Sequence, residues 1–202
     1  MWFVGKIGEY ICESCCLNLN KFEINKQVEN KFFVYRYEDV IRKSIIDYKF
    51  NEKSYIFKMF VNLLLKNKNV CKFLNCYDII IPVPVHRKRR SERGYNQTEL
   101  IAKELANNLK ITYSSSSLIK DKNIKPLSSM GAKERKNQIK NVFKVKNIES
   151  IKGKKVVLFD DIYTTGSTYI ECKRVLIEAG AKEVGILTLA RDAYKSTKER
   201  KK

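Results

Sequence analysis

The chain has no apolar run approaching the ~20 residues that a membrane-spanning helix needs, which excludes a helical span. It also shows no leader: the opening Met1-Trp2-Phe3-Val4-Gly5-Lys6 meets a charge too early for a secretion signal, so a cytoplasmic protein is expected. Acidic charge is scarce, with 22 Asp and Glu against 41 Lys and Arg, a net charge of +19. Such a field attracts polyanions, nucleic acid and phosphorylated metabolites among them, although a Lys-rich solvated surface has the same composition. Histidine is reduced to His86, which reads as a turn residue and not as a catalyst. No internal repeat is present. The six cysteines do not form a disulfide framework in a reducing compartment.

What is present is an ordinary globular composition, 44% hydrophobic and 31% charged, over a length that buries one core and a small appendage. Residues 1–30 read as irregular. From Glu38 the pattern is helical, with Ile41, Ile45 and Tyr48 on one stripe, and a second helix follows with Ile56, Phe57, Phe60, Val61, Leu64 and Leu65 on a broad face. Ile79-Ile80-Ile81 is a short strand stopped by Pro82-Val83-Pro84, because proline cannot donate to a ladder. After a basic stretch comes a helix carrying Ile101, Leu105 and Leu109 beside Ala102 and Ala106. Residues 114–135 read as a long loop suited to a lid. Strands are expected at 142–145, 155–159 and 184–190, with a helix over 168–179 capped by Gly180. Alternating strands and helices imply an α/β sheet covered on both faces.

The chemistry concentrates in Phe159-Asp160-Asp161-Ile162-Tyr163-Thr164-Thr165-Gly166-Ser167-Thr168. Two carboxylates follow a buried parallel strand, at the carboxyl end where open α/β sheets bind ligands. Ribose hydroxyls and a hydrated Mg²⁺ would compensate their charge. Thr164, Thr165, Gly166, Ser167 and Thr168 then offer amides and hydroxyls for a phosphate at the start of a helix. Thr168 and Glu171 have capping-box spacing. A Walker loop is excluded because no lysine stands between Asp160 and Thr168. An aspartate-nucleophile phosphatase is excluded because Ile162 holds the position of its second acid. The order acid pair, hydroxyl-rich turn, glycine suits a 5-phosphoribosyl group.

Residues 156–168 resemble the binding loop for phosphoribosyl pyrophosphate in type I phosphoribosyltransferases. Arg93-Gly94-Tyr95-Asn96-Gln97, following Ile81-Pro82-Val83-Pro84-Val85-His86, resembles the signature of the ComF competence proteins. Glu134-Arg135, Asn137 and Asn141-Val142-Phe143 are similar to a third ComF stretch, and the likeness covers roughly residues 30–192. It implies a type I phosphoribosyltransferase fold, a mostly parallel twisted sheet flanked by helices, with a short N-terminal Cys-containing appendage. The expected divisions are that segment at 1–29, the phosphoribosyltransferase-like domain at 30–195 and a basic tail at 196–202.

By the same resemblance, Asp160 and Asp161 hold the ribose hydroxyls and Mg²⁺, and residues 164–168 cradle the 5′-phosphate. Val85, His86, Arg87 and Arg93 would sit at the pyrophosphate, where basic neighbours make physical sense. Two departures stand out. Leu127 follows Lys125-Pro126 where the family has glutamine, and of the family's zinc ribbon only Cys12 and Cys15 remain, with Cys16 adjacent. A structural zinc needs four ligands, so zinc is not expected; Cys71 and Cys76 read as buried residues between a helix and a core strand. The function implied is binding of phosphoribosyl pyrophosphate with Mg²⁺ and transfer of its phosphoribosyl group to a nitrogen acceptor. The alternative is a non-enzymatic competence protein that binds single-stranded DNA, through its charge and through Tyr95, Tyr113 and Tyr163, beside a helicase-like partner.

Overall fold

Val156, Val157, Leu158 and Phe159 are wholly buried, as a run apolar on both sides must be. The structure, a computed structural model, describes residues 13–50, 55–86, 96–122 and 139–192. In chain order these form α1 (Glu13–Asn20), β1 (Glu23–Val28), β2 (Lys31–Arg36), α2 (Asp39–Phe50), α3 (Ile56–Lys66), α4 (Lys68–Leu74) and β3 (Ile79–Pro82). Then follow α5 (Gln97–Leu109), β4 (Thr112–Tyr113), β5 (Leu118–Lys120), β6 (Phe143–Val145), β7 (Lys155–Tyr163), α6 (Ser167–Glu178) and β8 (Glu183–Arg191).

Six strands make one sheet in the order β1-β2-β8-β7-β3-β4. Only the β1–β2 pair is antiparallel; every other neighbour is parallel. β5 and β6 form a separate antiparallel pair. Because successive strand residues point to opposite faces, β7 feeds two cores. Val157 and Phe159 share one with Ile41, Ile45 and Tyr48 of α2, Phe60 and Leu64 of α3, and Ile101 and Leu105 of α5. Val156 and Leu158 share the other with Phe143 of β6 and with Tyr169, Cys172 and Leu176 of α6. Each such side chain contributes roughly 1.5–3 kcal/mol by leaving water. The expected α/β sheet with helices on both faces is therefore present.

Some local expectations are corrected. Residues 13–30 are not irregular: they supply α1 and the edge strand β1. The long loop expected over 114–135 contains β5 at its start, held by Lys120↔Phe143 and Leu118↔Val145 pairing; residues 123–138 lie outside the described residues. Cys76 is exposed and Cys71 only partly buried, each with its thiol toward a backbone carbonyl, Lys72 and Leu65 respectively. Gly180 does end α6, at φ +93° with its N–H donating to the Ile177 carbonyl. The capping box does not form. Glu171 is drawn instead to the Asn141 N–H (2.7 Å) and to the Arg174 guanidinium, and α6 starts at Gly166 without a side-chain cap.

Candidate functional site

β3 ends at Pro82, opposite Phe159, while β7 runs on to Tyr163 beside β8, with Asp160↔Thr188 and Ile162↔Ala190 in register. The acid pair therefore lies within the strand and not in the loop the sequence suggested; the loop proper is 164–166. Past Phe159 the β3 side of β7 loses its strand partner, and the chain leaves through Val83, whose N–H still donates to the Phe159 carbonyl (2.8 Å). This is the crevice beyond the strand ends where parallel sheets receive ligands.

Strand alternation sends the two carboxylates to opposite faces. Asp160 lines a shallow cleft on the α6 face, together with residues 162–169 and Ile186. One of its oxygens accepts the Asp161 main-chain N–H (2.9 Å). Burial, then the charge of Asp161, pushes the Asp160 carboxyl up to about 7; Lys49, that N–H and Lys120 of β5 act in the opposite sense. Asp161 faces α2, where its Oδ2 pairs with Lys49 Nζ at 2.5 Å, with both side chains largely out of water.

The turn is built around Gly166 at φ +79°. A Cβ there would lie 2.7 Å from Tyr163 Cζ and collide with the Tyr163 hydroxyl. Thr165 Oγ1 and Ser167 Oγ share a hydrogen bond of 2.9 Å, so the hydroxyls stand together at the start of α6. The first N–H groups of a helix have no partners within it, and they carry the positive end of its dipole. Thr164, Thr165, Gly166, Ser167 and Thr168 thus bring amides and hydroxyls into the cleft that Asp160 enters.

The other expected residues divide. Val85 and His86 are partly buried in the extended chain after β3. Arg87, Arg93, Gly94 and Tyr95 lie outside the described residues, as do Cys12, Leu127, Glu134, Arg135 and Asn137. Asn96 and Gln97 do structural work. Asn96 caps α5, its side chain accepting from Thr98 N–H (3.2 Å) and Thr98 hydroxyl (2.8 Å). Gln97 ties α5 to α2: its carbonyl accepts the Tyr48 hydroxyl (2.7 Å) and its amide donates to the Lys49 carbonyl (3.4 Å).

Sequence reading missed Lys49 and Lys120. A signal for Lys49 did exist, since it continues the Ile41–Ile45 stripe of α2 by one further step of four, where an apolar residue would be expected. Among the described residues no three His, Cys, Asp or Glu are grouped to hold a metal ion. The donor set at β7 suits a hard divalent cation that brings further oxygen ligands with a substrate, and does not suit a cage made by the protein alone.

Residues 95–202 match the family model described as "Phosphoribosyl transferase domain". Competence protein F of Haemophilus influenzae is 30% identical over 148 residues, 71% of this chain and 65% of that protein. Competence protein ComFC of Bacillus subtilis is 28% identical over 186 residues, 90% of this chain and 72% of that one. The chain thus spans less than two thirds of the Haemophilus protein's length. Adenine phosphoribosyltransferase from Leishmania donovani, a solved structure, is 15% identical over 87% of this chain and 78% of its own, with a TM-score of 0.47. With its mostly parallel sheet, helices on both faces and the family-model match at residues 95–202, more than half its length, the chain belongs to the phosphoribosyl transferase domain family, among relatives of the ComF type.

Proposed function

We propose that the cleft at the end of β7 binds the phosphorylated ribose of phosphoribosyl pyrophosphate together with Mg²⁺, and that the chain transfers the phosphoribosyl group to a nitrogen acceptor. The observation that carries this reading is the meeting, in one cleft, of the Asp160 carboxylate with the hydroxyl-rich turn at the start of α6. Carboxylates accept from sugar hydroxyls, and amides and hydroxyls at a helix N-terminus receive the 5′-phosphate. Mg²⁺, when bound, would neutralise pyrophosphate charge, with Asp160 and Asp161 as the protein residues available to it. In the reaction the acceptor nitrogen forms a bond to ribose C1 while the C1–oxygen bond breaks, and pyrophosphate leaves with the bonding pair. Positioning and charge stabilisation supply the acceleration. Val85, His86, Arg87 and Arg93 are assigned to the pyrophosphate side, and Gly94, Tyr95, Asn96 and Gln97 to shaping the turn into α5.

The test is thermal unfolding with phosphoribosyl pyrophosphate and Mg²⁺. Ligand at about 100 times its dissociation constant stabilises the native state by roughly 2.7 kcal/mol. A metal-dependent shift that disappears in Asp160→Asn/Asp161→Asn is expected. No shift in the folded chain at saturating ligand would overturn the reading.

A second reading is supported by the net charge of +19 and by relatives whose names speak of competence. It makes the chain a binder of single-stranded DNA that acts in DNA uptake, with a helicase-like partner.

A further inference from the structure

We propose that the outer face of the β5–β6 ribbon is a docking surface for the phosphate backbone of single-stranded nucleic acid. This deepens the second reading above and rests on it, naming the surface that would hold such a strand. The ribbon lies on the α6 face of the sheet, with Leu118 of β5 and Phe143 of β6 buried in the core they share with α6. Ile119 pairs with Lys144, one step along from each of those residues. Alternation therefore turns Ile119 and Lys144 outward where Leu118 and Phe143 turn in. Lys146 continues the ladder by donating its N–H to the Ser117 carbonyl (2.8 Å). It shares the outward face with Lys144, about 7 Å further along the strand.

One acid serves three cations here. Asp121 accepts from Lys144 at 2.7 Å, where the lysine side chain is 61% exposed. That hydrogen bond, together with the charges of Lys144, Lys122 and Lys146, holds the Asp121 carboxyl below its usual value. Lys122 and Lys146 are themselves exposed. Neither has a carboxylate of its own at salt-bridge distance among the described residues, whereas Lys31, Lys49 and Lys155 elsewhere each do. The ribbon thus carries an uncompensated excess of positive charge. Cations repeated at strand spacing suit a ligand whose charges also repeat, as the phosphates of a nucleic acid do.

The cations are interleaved with apolar side chains. Ile119, half-buried, lies across from Lys144, and Ile148, two residues past Lys146, is 50% exposed. Base faces are stacked away in a duplex and open in a single strand, so ammonium groups beside apolar surface fit a single strand. On the inner side Lys120 stands 5.9 Å over the Phe143 ring, and its charge reaches Asp160, so the ribbon borders the cleft.

Fluorescence anisotropy of a labelled oligothymidylate, titrated with the full chain over a range of salt, tests this. Lys122→Glu/Lys144→Glu/Lys146→Glu is expected to weaken binding by about tenfold or more and to flatten the log–log salt slope by about 2, the share of three phosphate contacts on a single strand. Lys66→Glu/Lys68→Glu/Lys72→Glu alters exposed lysines of α3 and α4, on the opposite face of the sheet, by the same net charge. It should hold the affinity within about threefold. Asp121→Asn, which removes the one acid, should tighten binding by about threefold. Equal losses from the two triple variants, or unchanged affinity in a folded ribbon variant, would overturn the surface while leaving single-strand binding in place. An unmodified chain that binds no oligonucleotide would overturn both. Should circular dichroism show the ribbon variant unfolded, Asp121→Asn decides, and affinity no tighter than that of the unmodified chain then ends the proposal.

Discussion

Gly166 is the residue on which the turn depends, since its φ of +79° disfavours any L side chain and Tyr163 occupies the space a Cβ would take. Gly166→Ala is expected to cost about 2–3 kcal/mol in chemical denaturation. Adding Tyr163→Phe, which removes the clashing oxygen, should recover part of that cost, whereas strain from φ alone would leave it intact. Asp160 makes the complementary case. Its carboxyl is raised to about 7 in the fold from an unfolded value of 3.8, so the folded state binds more protons across that window. Stability contributed by the protonated acid is complete below the unfolded value and is lost as pH rises toward 7. Asp160→Asn should therefore be more stable than the unmodified chain at pH 7.5 by on the order of 2 kcal/mol, with the advantage gone below pH ~4. A pH-independent difference would contradict this origin. At this scale the cleft was legible because Asp160 and the residues from Thr164 to Thr168 are contiguous and each carries its own chemistry. Lys49 was not, since its partner lies far along the chain and only the break in an apolar stripe marks it.

Elements position the cleft, and α6 is anchored by one arginine. Arg174 bonds Glu171, Glu178 and the Asn141 side chain, and Glu171 also takes the Asn141 N–H where that residue stands at φ +56°. The Arg174 bond, opposed by burial and aided by the Asn141 N–H, holds the Glu171 carboxyl below its usual value of 4.5. Its stabilising effect is thus full above that pH and fades as pH falls through the folded value. Glu171→Ala is expected to cost about 1–2 kcal/mol at pH 7 and to release the Asn141 amide in hydrogen exchange; unchanged protection there would show that α6 is not held to β6 this way. The strong helical stripes of α2, α3 and α5 were readable from period alone, as was the apolar centre of β7. β1 escaped because its sequence, EINKQV, is polar and lies at a sheet edge. β5 escaped because it directly follows four consecutive serines, 114–117, whose polarity reads as loop. The extension of β7 through its acids was hidden, since only pairing with β8 keeps Asp160 and Asp161 in a strand.

Across the whole molecule, alternating strands and helices announced a parallel sheet, but the insertion of β8 between β2 and β7 comes from pairings remote in sequence, which local patterns do not encode. The charge of +19 belongs to this scale as well. If the chain binds single-stranded DNA through it, the affinity for a labelled oligothymidylate should fall with salt at a log–log slope of about −3 or steeper, as expected when several phosphates are neutralised. A flat salt dependence would remove the electrostatic version of that reading.

Pro82 closes β3 opposite Phe159, and Pro84 follows two residues later. Val83 turns its N–H to the Phe159 carbonyl, whereas the Ile80 carbonyl, on the other side, accepts from Ser114, so alternation turns Pro82 and Pro84 away from β7. The prolines therefore leave the β7 ladder intact and remove donors only on the side of β4, which ends at Tyr113. Beyond Phe159 it is β7 that runs on without β3, and the cleft is an unfinished seam that a ligand can complete.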